Sequence, residues 1–531
     1  MRIHHLVLLS ALMMLGAACP GEEPAPTTDA DAGPGDAVAE VDVSPPEDKR
    51  VTVFLNGIGN GLMTSDPAGI DCGSTCSADF AVGTEVTLRP LPGVGHRFGG
   101  FSGDTCSGFD VCRFTISDNL EVGITWEPMS LTGVGGADLG DAGTDDSITA
   151  LAASSFGTVY GTFSSSTVGL ARLADAGAGA PETLWQKNFG TAADDCPDLI
   201  LTSLPDATAL VAGRGGAGFD LDPGGAAPVD GEGTFVAQYS DGETALWSHV
   251  ANAGCPTAIA AAGDVVAWTG EVTGAGASID GDLGTNDTAV SMVLAAYDLN
   301  TQAPKWSRAI GTAEFDVARG RAIAVDSSGG IAAAARVVHT GAVDFGGGPL
   351  PDGSAVTVAR YDASGNHVWS LNYGGINHDV ATLDVLDNGD LLMTGVETQG
   401  AQQVAFVTRM NGQGEPLWLE NLDYADQQAP TDVLSLADGN LLVAGWRYTP
   451  SAPFAEATLT QLSGAGVMMW RQEIGSATGE ERAFGIAEGA GGVWLSGWFE
   501  GDQPWDVGGP APLNASGGTD GFVIVVTEAL P

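Results

Sequence analysis

The chain has 531 residues and carries 19 Lys plus Arg against 67 Asp plus Glu, a formal charge of −48. A charge of that sign repels phosphate backbones and argues against nucleic acid as a partner. The length exceeds one compact domain at roughly 100–200 residues per domain, while an apolar share of 44% can bury a core over most of the chain.

Arg2 precedes an apolar run from Leu6 to Leu15 that is too short to span a bilayer. The run ends in Leu15-Gly16-Ala17-Ala18-Cys19, so residues 1–18 read as an export signal. Small residues before a cysteine resemble a lipobox, and that resemblance implies a lipidated Cys19 as the mature amino terminus. Cleavage after Ala18 without lipid is the alternative and would give a secreted protein. Residues 19–49 hold Pro24, Pro26, Pro34, Pro45 and Pro46 among acidic residues and alanine, with no apolar period. Such a segment cannot offset its ordering entropy and is expected to be a disordered tether. Its mean reach as a random coil is roughly 30 Å.

Residues 50–128 open with a strand pattern, Val51-Thr52-Val53-Phe54-Leu55, followed by glycine turns at Gly57, Gly59 and Gly61. Cys72 and Cys76 lie close together, as do Cys106 and Cys112, around Arg97-Phe98-Gly99-Gly100-Phe101-Ser102-Gly103. The segment resembles the divergent internalin-B-type bacterial repeat, with Phe101 at that family's usual tryptophan. The resemblance implies a small β domain serving as a spacer or adhesion module, with no catalytic residue to carry over. A domain this small has a marginal core, which short disulfides would staple in an oxidising compartment. Four cysteines could instead hold zinc, and they permit three disulfide connectivities.

From about residue 129 the sequence repeats with a period of about 50–63 residues. A tryptophan marks the copies at Trp185, Trp247, Trp306, Trp369, Trp418 and Trp470, four of them preceded by a turn with glycine. A second marker ends a short apolar strand in glycine, at Gly161, Gly213, Gly270, Gly395, Gly445 and Gly497, with Ala335 in the remaining place. Alternating strands such as Phe235-Val236-Ala237-Gln238-Tyr239 predict hairpins, and crowded inner strands explain the small residues. A third marker, Val343-Asp344-Phe345-Gly346-Gly347-Gly348, returns as Phe219-Asp220-Leu221-Asp222 and Trp505-Asp506-Val507-Gly508-Gly509. Together these resemble the SBBP-type repeat of exported bacterial proteins. The expected fold is all-β: a small disulfide-stapled β domain followed by a seven-bladed β-propeller over residues 129–531. Residues near 128–136 would complete the last blade and put the small domain and both chain ends on one seam.

Cys196-Pro197 and Cys255-Pro256 occupy equivalent places in successive copies, so Cys196 and Cys255 either bridge adjacent blades or remain free thiols. Beyond the signal no histidine pair has ligand spacing, no Gly-x-Ser-x-Gly elbow or phosphate loop is present, and His249 and His367 read as surface residues. Asp220, Asp222, Asp280 and Asp282 offer oxygen ligands for calcium, with solvated acidic turns as the alternative. No other cofactor is indicated. The expectation is a non-enzymatic, monomeric protein of the bacterial envelope. It would be an outer-membrane lipoprotein facing the periplasm or the cell surface, held to the membrane by its lipid and binding protein or glycan. A hydrolase or quinoprotein-like enzyme at the propeller axis, or a structural component of envelope assembly, are the alternatives. A cluster of perturbed carboxylates on the axis would favour the enzyme, whereas a smooth wall of Gly, Ala and Val would exclude it.

Overall fold

A computed structural model describes residues 47–529 apart from 74, 139–144, 155–157, 165, 175–180, 195, 197, 226–228, 280, 286–288, 312–316, 339–342, 352–354, 423–426, 450–451, 476–478, 490–491, 501–503, 508–511 and 514–517. Cys19 and Asp280 therefore lie outside the described residues. The described residues form strands and turns and no helix.

The first seven strands are β1 (Asp48–Gly57), β2 (Gly61–Asp66), β3 (Ser77–Ala81), β4 (Glu85–Pro92), β5 (His96–Ser102), β6 (Cys112–Thr115) and β7 (Leu120–Pro128). They make two small sheets, one ordered β5-β7-β1-β3 with β1 and β7 parallel, the other β2-β4-β6. Alternation sets the buried face: Val122, Ile124 and Trp126 point inward from β7, as Val51 and Val53 do from β1. Phe98 packs edge-on against Phe101 at 4.8 Å and Trp126 at 5.7 Å. Disulfides join Cys72 to Cys76 and Cys106 to Cys112 beside this core.

Strand β8 (Ser130–Asp138) follows, and the rest of the chain forms four-stranded antiparallel units. The first unit is β9 (Ser147–Ala153), β10 (Val159–Ser164), β11 (Val168–Ala174) and β12 (Glu182–Gly190). The second is β13 (Ile200–Ser203), β14 (Ala209–Gly215), β15 (Gly233–Tyr239) and β16 (Ala245–Ala251). The third is β17 (Cys255–Ala262), β18 (Val265–Thr273), β19 (Val290–Asp298) and β20 (Ala303–Ile310). The fourth is β21 (Val317–Val325), β22 (Ile331–Val338), β23 (Ala355–Tyr361) and β24 (His367–Tyr373). The fifth is β25 (His378–Val385), β26 (Leu391–Gln399), β27 (Gln402–Met410) and β28 (Pro416–Asn421). The sixth is β29 (Gln427–Ser435), β30 (Leu441–Thr449), β31 (Ala452–Leu462) and β32 (Met468–Ile474). The last has β33 (Glu481–Gly489), β34 (Gly492–Glu500) and β35 (Thr519–Ala529), and its fourth place is taken by β8, antiparallel to β35.

The first strand of each unit packs against the first strand of the next, from β9 through β13, β17, β21, β25 and β29 to β33, and β33 packs against β9. Each unit's apolar side chains interleave with those of its neighbours. Tyr160 shares a buried cluster with Val211 and Phe235, and Ala332 shares one with Met393 and Phe406.

The tryptophan markers all fall on fourth strands, opposite a register shift in the third. Trp247 Nε1 donates to Gln238 Oε1 of its own unit at 2.6 Å, whereas three others reach the next unit's turn. Trp185 Nε1 donates to Asp241 O at 2.9 Å, Trp369 Nε1 to Gly412 O at 2.9 Å and Trp418 Nε1 to Gly464 O at 3.2 Å. Trp306 lies against Gly365, which has φ +80° and where a Cβ would come within 2.6 Å of the indole. The glycine of these turns thus serves both the backbone twist and the neighbouring indole.

The first seven strands do not rest on the seam beside the last unit. They pack on the fourth strands of the fifth and sixth units. β4 and β5 touch β32, where Trp470 pairs with Arg97. Arg89 donates to Glu420 of β28 at 2.7 Å, and Ser463 Oγ to Phe109 O at 3.3 Å. Val467 of the sixth unit completes the small module's core. The link through Met129 is short, but the apolar edge of β32 lies within reach and sets the docking position.

Candidate central cavity

The first strands line a concave site. A cavity of about 1020 Å3 is lined by residues of β9, β13, β17, β21, β25, β29 and β33. Six of these strands carry a β-bulge at one corresponding place, with Thr149, Thr257, Arg321, Ala381, Thr431 and Phe484 as the extra residues. A bulge breaks the alternation and re-aims one side chain, and all six residues line the cavity.

The bulged side chains tie one unit to the next. Thr257 Oγ1 donates to Gly320 O and Thr431 Oγ1 to Ala483 O, both at 2.9 Å. Thr149 Oγ1 reaches Leu199 O at 3.4 Å. Arg321 pairs instead with Asp379 at 3.3 Å. Between the second and third units the tie is covalent: Cys196 and Cys255 form a disulfide with Cα atoms 5.6 Å apart, on the cavity wall.

The bulge also gives the marker glycines their physical reason. A Cβ on Gly270 would run into Cys255 O, one on Gly395 into Asp379 O, one on Gly445 into Ala429 O, and one on Gly497 into Arg482 O. Each of these carbonyls lies two residues before a bulge. The crowding therefore comes from the bulged partner's backbone, and not from convergence of strands alone. Gly161 meets nothing closer than a Leu151 methyl at 3.4 Å, with an Ile148 methyl at 3.5 Å and Ala150 O at 3.7 Å.

The wall is polar. Asp432, half-buried in the wall, is pushed up to about 7 by desolvation; amide donation from Ile486 and Val433 opposes the rise, and Asp384 nearby adds to it. Asp432 Oδ2 accepts the Ile486 amide of the next unit at 3.0 Å and Oδ1 its neighbour's amide at 2.9 Å. Burial likewise raises Asp384 and Asp198. Beside the cavity Arg482 lies 4.4 Å from the Trp446 ring and 5.4 Å from that of Trp498.

The calcium candidates stand elsewhere. Asp220 Oδ1 accepts the amides of Asp222 and Val229, Asp222 pairs with the buried Lys187 at 3.0 Å, and Asp282 accepts the Gly284 amide. These carboxylates brace their own loops. The third marker has the same role: Asp344 accepts the Gly346 and Gly348 amides, while Phe219, Phe345 and Trp505 are buried beneath. His249 and His367 are half-buried rather than on the surface, packed on Tyr297 and Tyr361.

Sequence reasoning missed the bulged residues, Asp198 and Asp432. One signal was present: Pro256-Thr257 and Pro430-Thr431 put proline just before a bulge, where a strand tolerates it.

No family model matches the chain. A segment of 257 residues is 27% identical to the regulatory protein FlaEY of Caulobacter vibrioides, covering 41% of this chain and 27% of that protein's length. Among solved structures, a protein of unknown function from Dyadobacter fermentans aligns at TM-score 0.39 and 14% identity, over 75% of this chain and 99% of its own. A chain of the mitotic checkpoint complex aligns at TM-score 0.41 and 12% identity, over 74% and 94%. Sqt1 from Chaetomium thermophilum aligns at TM-score 0.41 and 13% identity, over 76% and 100%.

Proposed function

We propose that this chain is an exported, lipid-anchored, non-enzymatic binding protein of the bacterial envelope. In this reading residues 1–18 are its signal, 19–49 its tether, 50–128 an internalin-B-like spacer, and 129–531 a closed seven-bladed β-propeller of SBBP type. Lipid on Cys19 would hold it at the outer membrane. The protein or glycan ligand is taken at the propeller axis. One observation carries the reading: a single cavity borders the first strands of all the four-stranded units. Ring closure is supported by the packing of β33 on β9 and by β8 filling the last unit, since closure removes free sheet edges. A cavity of this size suits a small ligand or an inserted side-chain cluster.

Ala381→Trp fills the axis from a bulge. Immobilised wild-type protein, exposed to solubilised envelope, is expected to retain a ligand that this variant loses. Equal retention by both would move binding to the outer loops, and retention by neither would end the binding reading. A hydrolase at the axis is the second reading, favoured by the raised Asp432 and Asp384. Against it, both Asp432 oxygens already accept main-chain amides. Hydrolysis of envelope glycans or peptides that vanishes in Asp432→Asn, with the fold retained, would reverse that preference.

A further inference from the structure

We propose that a single buried water molecule joins the fifth and sixth units, held by the side-chain amide of Gln428. This site is separate from the axial one and belongs to the contact between neighbouring units.

Gln428 lies on β29 and is 2% exposed. Neither Nε2 nor Oε1 of its side chain has a hydrogen-bond partner among the described residues. A buried amide left wholly unpaired is costly, and the great majority of such groups find a partner in protein or water. Pro430, two residues on, has no N–H to give the amide oxygen.

A cavity of about 10 Å3 lies against this residue. Ala405 and Leu422 line it from the fifth unit, and Pro430, Thr458 and Thr460 from the sixth, all of them buried. The volume admits about one water and nothing larger. The joint also lacks an inner tie of the kind its neighbours have. Thr257 and Thr431 donate from their bulges to the next unit, whereas the bulged residue of the fifth unit is Ala381, which has no hydroxyl.

The amide selects water among small guests. Its carbonyl accepts and its amino group donates, side by side. One water can accept from Nε2 and donate to Oε1 together, with a second proton left for a threonine hydroxyl of the lining. A metal ion or an ammonium group could serve the oxygen alone, and an anion the nitrogen alone. Each would also carry an unpaired charge in among Ala405, Leu422 and Val443.

Oxygen-17 relaxation dispersion of the full chain counts its slowly exchanging waters. Gln428→Met keeps the side-chain length and removes both polar ends, and its count should fall by about one relative to wild type. Its denaturant midpoint should not rise, because the amide it removes is already satisfied; deleting an unpaired amide would raise it. Ala405→Val narrows the cavity from the fifth unit and keeps the amide, so it carries the test if Gln428→Met does not fold. It should lose the same water and lower the midpoint, and adding Gln428→Met should recover part of that loss. An unchanged water count in both variants, or a midpoint raised by Gln428→Met alone, would overturn the proposal.

Discussion

The small module and the four-stranded units solve stabilisation differently. The module's seven strands share one compact apolar core, braced by disulfides that span only 4 and 6 residues. The later units borrow stability from each other through bulged threonines, tryptophans over neighbouring turns, and one disulfide spanning 59 residues. A module with its own core needs only local staples. A unit with two open faces must be held at its contacts with the next, at the inner strand and again at the outer one. Variants that separate local from inter-unit stabilisation should therefore behave unequally in the two regions.

The largest expected contrast is between the cross-links. Replacing Cys196 and Cys255 with alanine should cost about 4 kcal/mol, against about 2 kcal/mol for Cys72 and Cys76, because a longer closed loop restrains the unfolded chain more. Denaturant midpoints for the two double variants measure the difference; equal losses would remove the distinction drawn between the regions.

The junction between the regions is sensitive to pH. Burial pushes the Glu420 carboxyl up to about 7, opposed by Arg89. Protonation then favours the folded state, so this contribution is fully present below the unfolded pKa and is lost as pH rises through about 7. The loss should amount to about 3 kcal/mol between pH 4 and pH 8. Glu420→Gln should flatten that part of the stability profile, while Asp432→Asn should flatten a separate part belonging to the inner strands. A profile unchanged by either variant would contradict the assignment.

Smaller effects grade the inter-unit contacts. Gly270→Val drives side-chain atoms into the bulged backbone and should cost roughly 2–3 kcal/mol. Gly161→Ala, whose Cβ meets nothing closer than 3.4 Å, should cost less than about 1 kcal/mol. Equal costs would place the crowding somewhere other than the bulge. Thr431→Val removes one hydroxyl contact to the next unit and should cost about 1 kcal/mol. Thermal unfolding monitored by tryptophan fluorescence resolves this series.

The repeat was legible because the same demand recurs in several copies: Trp185, Trp369 and Trp418 reach the next turn, and Gly270, Gly395, Gly445 and Gly497 face a bulged backbone. The cysteine pairs were legible for a similar reason, since close spacing and matching repeat positions bring their backbones together. Bulges were not legible as such: the extra residue is defined only against the register of a partner strand. The small module's resting place was hidden too, because it depends on the unfilled edge of β32 and on Val467, hundreds of residues from β1. The polar groups of the cavity escaped notice because Asp198, Thr257 and Asp432 are ordinary loop and strand residues in sequence. Their convergence is a property of the ring of contacts.

The proposed ring closure is the premise of the proposed axial ligand, and electron cryomicroscopy of single particles tests it most directly. Class averages viewed down the axis are predicted to show seven lobes around a central opening, with one knob beside the fifth and sixth. An open arc, or lobes without a shared centre, would contradict the account.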